Sequence, residues 1–122
     1  MIVAGFGFRK SASVGSLRNA YDRARADAHP DLLAAPDDKI TVKAFRLFAD
    51  EVGRPVRGVP ADVLEQQSTV TQSLASLVER NIGSVAEAAA LAAAGPGAKL
   101  LTERHISADK LATCALAMRE TT

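Results

Sequence analysis

At 122 residues and an apolar fraction of 48%, the chain has the length of one domain with a real core. Only 4% of its residues are aromatic, so the core is expected to be built mainly from Ala, Val and Leu. Fifteen basic residues against 14 acidic ones leave a net charge of +1, which argues against a nucleic-acid binder. The single cysteine, Cys114, excludes an intramolecular disulfide and a cysteine metal cluster.

In chain order, Ile2-Val3-Ala4 reads as a short buried strand. Gly5-Phe6-Gly7-Phe8-Arg9-Lys10 reads as a glycine-spaced loop with two aromatic rings and two cations. Ser13 is the expected N-cap of a helix, because Leu17, Ala20, Tyr21 and Ala24 recur at the helical period. Asp22 can pair with Arg18 or Arg25 on that helix. His29-Pro30 closes the helical region, since a residue before proline leaves α geometry. Residues 31–38, with Pro36 and flanking aspartates, read as a turn-rich connector.

The period returns at Ile40, with Val42, Phe45, Phe48, Ala49 and Val52 on one face and Gly53 at the stop. Val56 to Val59 reads as a strand. Pro60-Ala61-Asp62 opens a helical turn expected to bury Val63 and Leu64. Gln66 to Thr71 is a polar loop, with Thr71 a cap for a helix carrying Leu74, Leu77 and Val78 and ending at Arg80-Asn81-Ile82-Gly83. Ser84-Val85-Ala86-Glu87 matches a capping box, in which Glu87 reaches back to the Ser84 amide. The helix continues through Ala94 and stops at Gly95-Pro96-Gly97. Lys99 to Thr102 reads as a strand and Glu103 to Lys110 as a turn. Leu111 to Met118 fits strand or helix by length, and a closing hairpin beside the first strand is preferred.

This alternation predicts an α/β fold: a single domain over residues 1–122, with a small mostly parallel or mixed sheet and helices on both faces. No basic leader precedes the first strand. The alanine run at 88–95 is too short to span a bilayer. A cytoplasmic protein without membrane or nucleic-acid partners is expected, with homo-oligomerisation left open.

Ligands of open α/β sheets bind beyond the carboxyl ends of the strands, which puts residues 5–13 on the functional edge. Amide donors of Gly5 and Gly7, the Arg9 and Lys10 cations and the Ser13 hydroxyl there suit a carboxylate or phosphate. The plainer reading is a tight turn that needs glycine. Neither the dinucleotide fingerprint nor the P-loop fits, because Lys10 stands at the third glycine position and no Gly-Lys-Ser/Thr follows. If the strand extends to Phe8, Phe6 and Phe8 are expected to face opposite ways, one in the core and the other a flat platform for a planar ligand. Ser84 and Glu87 are either a helix cap alone or a second helix N-terminus turned toward the ligand. His29 and His105 fall in expected loops, where a metal pair or a catalytic base competes with a plain surface role. No residue cluster has zinc spacing, and no cofactor or metal is called for.

The opening Ile2-Val3-Ala4-Gly5-Phe6-Gly7-Phe8-Arg9-Lys10, with Gly83-Ser84-Val85-Ala86-Glu87-Ala88-Ala89-Ala90-Leu91, Gly95-Pro96-Gly97 and Lys99-Leu100-Leu101, resembles the CobE/CbiG C-terminal domain family of cobalamin biosynthesis. The chain departs from the family where a late-turn lysine is expected, since Arg104 is the nearest cation, and in carrying no extra N-terminal domain. It is thus most similar to the free-standing CobE-type members. The resemblance implies a carrier or accessory protein that binds a precorrin-type tetrapyrrole and meets other enzymes of the pathway. Arg9 would grip a peripheral carboxylate and Phe8 would touch the ring face, with Gly5, Gly7, Lys10, Ser13 and Ser84 completing the site. The enzymatic alternative is a hydrolase like those that open a cobalt-precorrin lactone with loss of a two-carbon unit, with Glu87 or His105 as base. A phosphate- or nucleotide-binding module is the third reading.

Overall fold

Strand β1 runs straight through the glycines expected to form a loop. In a computed structural model, which describes residues 1–72, 77 and 83–120, the order is β1 (Ile2–Phe8), α1 (Val14–Arg25), β2 (Leu32–Pro36), α2 (Lys43–Val52), β3 (Val56–Val59), α3 (Ala61–Glu65), α4 (Val85–Ala94), β4 (Lys99–Ile106) and β5 (Ala112–Met118). The sheet order is β3-β2-β1-β5-β4. β1 pairs parallel with β2, and β2 with β3; β5 pairs antiparallel with both β1 and β4. The domain is therefore α/β with a mixed sheet, and the closing hairpin lies beside β1 as expected. The helix expected over Leu74, Leu77 and Val78, ending at residues 80–83, lies largely outside the described residues.

The two faces of the sheet are packed by different chemistry. Side chains two apart on a strand share a face, so Ala4 and Phe6 of β1 join Leu33 and Ala35 of β2 and Cys114 and Leu116 of β5 under α1 and α2. Here the chain gathers all its aromatic residues: the Phe6 ring lies 6.1, 5.6 and 5.3 Å from those of Tyr21, Phe45 and Phe48, and Phe8 stacks on Phe45. Edge-to-face pairs of this kind add to the burial of large apolar area. The expectation of an Ala-Val-Leu core holds for the opposite face only. There Val3, Leu32, Ala34, Val59 and Ala117 meet Leu64 of α3 and the alanines 88–90, 93 and 94 of α4.

Gly5 and Gly7 exist for that second face. A Cβ on Gly5 would stand 2.2 Å from the Ala86 oxygen and 2.4 Å from the Ala90 nitrogen, so α4 rides directly on the strand backbone. Strand geometry thus survives glycine's weak propensity because the helix needs the space.

Other departures have equally local causes. The connector expected over 31–38 contains β2, a fully buried inner strand; Pro36 sits at its last residue, where a missing N–H costs no ladder bond. Helix α1 ends at Arg25, short of His29-Pro30, with Ala26 at φ 48° as its cap. The turn expected from Glu103 begins only after Ile106, because β4 extends alongside β5 through a register shift. Leu64 is buried, whereas Val63 is half-buried. Helix α2 ends at Gly53 in the left-handed conformation, as its position suggests.

Candidate functional site

The carboxyl ends of β1 and β2 and the amino ends of two helices meet at one edge of the sheet. Helix α1 follows β1 directly. Helix α4 runs antiparallel to β1, since Ala86 and Ala90 cover Gly5 while Val85 covers Gly7. Both helix N-termini, α1 at Ser13 and α4 at Ser84, therefore stand at the Phe8 end of the strand.

Beside each N-terminus stands a carboxylate that is bonded internally. The Ser13 hydroxyl accepts from the Ser16 amide at 3.1 Å, and the Ser16 hydroxyl accepts from the Ser13 amide at 3.1 Å. Ser16 also donates to Asp109 in the β4–β5 turn. Asp109 accepts further from the Ser107 hydroxyl at 2.6 Å and the Leu111 amide at 3.1 Å. These bonds, Ser107 first, then Ser16 and Leu111, hold its carboxyl below the usual range. The adjacent Ala108 amide donates to Asn19 of α1 at 2.7 Å, so the turn is fixed to the helix.

On α4, the Ser84 hydroxyl accepts from the Glu87 amide at 3.3 Å, but the reciprocal half of the expected box is not made. The Glu87 carboxylate instead accepts from the Val70 amide at 2.7 Å, the Thr71 amide at 3.0 Å, the Thr71 hydroxyl at 2.6 Å and the Arg104 amide at 2.9 Å. Burial pushes its pKa up, yet the Thr71 hydroxyl and the amides of Thr71, Arg104 and Val70 outweigh that and lower it. Four donors occupy the acceptor capacity of one carboxylate. Glu87 is 0% exposed, and its carboxylate anchors Val70, Thr71 and Arg104 to α4. Ser84 is equally buried.

Arg9 and Lys10 differ from both. They are exposed at the end of β1, and among the described residues neither side chain has an ion-pair or hydrogen-bond partner. The Arg9 amide donates to the Leu111 oxygen at 2.9 Å, which fixes where the two cations emerge.

Phe8 is not the free platform expected. It lies on the same sheet face as Phe6, because residues two apart on a strand point the same way. Its ring stacks on Phe45 at 5.5 Å and 11°, with the Lys39 ammonium 5.1 Å from its centroid. Gly5 and Gly7 serve helix packing, although the Gly7 oxygen also accepts from the Thr113 hydroxyl at 3.1 Å.

His105 lies in β4 opposite Cys114, its Nδ1 2.9 Å from the Glu103 oxygen. His29 lies at the other end of the sheet, lining a groove of about 350 Å³ between α1 and α2 with Arg18, Arg25 and Arg54. The two histidines therefore cannot share a ligand. Those guanidiniums are taken: Arg18 by Glu51, Arg25 by Asp22 and the Ala28 oxygen, Arg54 by the Pro30 and Gly53 oxygens. Cys114 is buried, and its burial raises the thiol pKa well above the usual value.

Sequence reasoning missed Asp109, Ser16, Asn19 and Lys39, and took Thr71 as a helix cap without its bonds to Glu87. For Asp109 a signal existed, since Ser107-Ala108-Asp109 is turn chemistry that bonds its own backbone. Nothing local foretells that Thr71 and Arg104 converge on Glu87.

No helix among the described residues is long and apolar enough to cross a membrane. The family model for the cobalamin synthesis G C-terminus matches residues 2–117. No curated protein matches by sequence. Among solved structures, CobE, a protein from the cobalamin (vitamin B12) biosynthetic pathway, is similar with a TM-score of 0.86 and 33% identity, over 100% of this chain and 92% of that one. Cobalamin biosynthesis protein chiG from Agrobacterium tumefaciens str. C58 is similar with a TM-score of 0.74 and 30% identity, over 99% of this chain and 100% of that one. A cobalamin biosynthesis protein G homologue from Sulfolobus solfataricus shares the fold, with a TM-score of 0.71 and 22% identity over 98% of this chain and 37% of that one. With its family model covering nearly the whole sequence and full-length likeness to CobE, this chain is a cobalamin biosynthesis protein and belongs to the cobalamin synthesis G C-terminal domain family.

Proposed function

We propose that the protein binds a precorrin-type tetrapyrrole as a carrier or accessory factor, with Arg9 and Lys10 receiving peripheral carboxylates of the macrocycle. The observation that carries this reading is the adjacent, exposed pair of cations at the end of the central strand, which have no side-chain partner among the described residues. Asp109 and Glu87 direct their hydrogen bonds to other donors and not to these cations. A guanidinium there can take a carboxylate bidentately, and an ammonium beside it adds a second point of charge. Precorrins present several acetate and propionate groups around an apolar ring, which suits two fixed cations better than a single anion would. The bonding of Glu87 favours binding without turnover.

Titration of the purified protein with precorrin-type tetrapyrroles, read by visible absorbance and followed by mass analysis of the ligand, tests this. Saturable binding with unchanged ligand mass is expected. Protein-dependent loss of mass would show an enzyme instead, and absence of binding would sink the tetrapyrrole reading.

A further inference from the structure

We infer that residues 68–72 form a strap whose hydrogen-bonded fastening among the described residues is the Glu87 carboxylate, and that this strap detaches from α4 as a unit while the sheet stays folded. Among the described residues, every hydrogen bond linking 68–72 to the rest of the chain ends on Glu87: the Val70 amide, the Thr71 amide and the Thr71 hydroxyl. The one other bond of the segment, from the Thr69 hydroxyl to the Thr71 oxygen at 3.1 Å, is internal. No side chain in the strap is buried, and Val70, its one apolar residue, is 62% exposed. The strap lies against Gly83, where a Cβ would come within 2.4 Å of the Thr69 hydroxyl. The Gln72 side chain lies there too, its Nε2 2.8 Å from the same Cβ position.

The β4–β5 turn makes the contrast. It is held by Asp109 to Ser16, Ala108 to Asn19, Arg9 to Leu111 and Arg23 to the Ile106 oxygen. Loss of one contact leaves three. Among the described residues the strap has one anchoring hydrogen-bond acceptor, and regions with few buried contacts open locally at low free energy. The fourth bond of Glu87, from Arg104, ties the same carboxylate to β4, so the anchor itself stays in place when the strap leaves. This inference concerns the fold alone and stands apart from the tetrapyrrole reading.

Amide hydrogen exchange measured residue by residue tests it, on the wild type, Glu87→Gln and Thr71→Val. The Gln amide turns donors toward donors and removes acceptor capacity. Thr71→Val deletes only the hydroxyl bond and leaves the buried carboxylate intact. Bonds to a charged acceptor govern opening strongly, so Glu87→Gln is expected to speed exchange at Val70 and Thr71 by about tenfold or more. Thr71→Val is expected to speed it by a smaller factor at the same amides. Exchange at Ala4, Phe6, Leu33 and Cys114 is expected to stay at the wild-type rate in Thr71→Val. Unchanged exchange at Val70 in both variants, or equal acceleration in the strands with Thr71→Val, would overturn the inference.

Discussion

Gly5→Ala probes the packing that shapes this domain. A carbon–oxygen contact settles at about 3.3–3.6 Å, whereas a Gly5 Cβ would meet the Ala86 oxygen at 2.2 Å and the Ala90 Cβ at 2.8 Å. Helix α4 must therefore retreat by about an ångström. Its alanines lie against Val3, Leu32, Ala34 and Ala117, and a gap of that size forfeits about a quarter to a half of each dispersion contact. Overpacking adds about 1–3 kcal/mol. Against this, alanine restricts the unfolded chain and returns about 0.4–1 kcal/mol. The net expectation is a loss of about 2–3 kcal/mol. Gly7→Ala is the internal control: its Cβ would stand 3.0 Å from the Thr113 hydroxyl and 3.1 Å from the Val85 Cβ, a few tenths of an ångström too close, so a loss under about 1 kcal/mol is expected. The chain has no tryptophan, so urea unfolding is best followed by far-UV circular dichroism. With a slope of about 1–3 kcal/mol per molar urea, Gly5→Ala should lower the midpoint by about 1–2 M. A midpoint equal to the wild type, or a larger drop for Gly7→Ala than for Gly5→Ala, would refute the close approach of α4.

Three further outcomes follow from the same geometry. Phe6→Ala empties the centre of the aromatic layer and should cost about 3–5 kcal/mol in urea unfolding. Ser13→Ala removes the hydroxyl that caps α1 and should cost about 1 kcal/mol, visible as a lower melting temperature. Asp109 and Glu87 both have folded pKa values below their ordinary ones. Their stabilisation is complete above the unfolded carboxylate pKa of about 4 and is lost as pH falls through the lowered folded values. Stability should thus decline on acidification below about pH 4. Asp109→Asn should flatten that decline, and an identical acid limb in wild type and variant would count against the Asp109 bonds.

Much of this fold was legible because its signals are local. The spacing of Leu17, Ala20, Tyr21 and Ala24 marks α1, Gly53 ends α2, and Ser84 starts α4. Strand β2 escaped because Pro36 and its aspartate neighbours carry turn chemistry, while the reason Leu32 to Ala35 form a strand lies in their partners on β1 and β3. The Gly5–Phe8 stretch misled for a related reason: glycine spacing reads the same whether it serves a ligand or a helix, and only the position of α4 decides. The face of Phe8 was legible from the period of two and was misread. The edge carrying Arg9 and Lys10 follows from the order of strand and helix, but the capture of Glu87 by Val70, Thr71 and Arg104 depends on contacts 16 and 17 residues apart, which no local pattern encodes.

The measurement that bears most directly on the proposed role is the affinity of one precorrin-type tetrapyrrole for the wild type, Arg9→Ala/Lys10→Ala and Arg46→Ala, read by visible absorbance. Arg46 is an exposed cation on α2 and controls for the loss of a surface charge. Losing charge-assisted bonds costs about 1.5–3 kcal/mol each, so the double variant should bind at least about tenfold more weakly while Arg46→Ala matches the wild type. Equal weakening in both variants, or none in either, would contradict the assignment of the ligand to the Arg9–Lys10 edge.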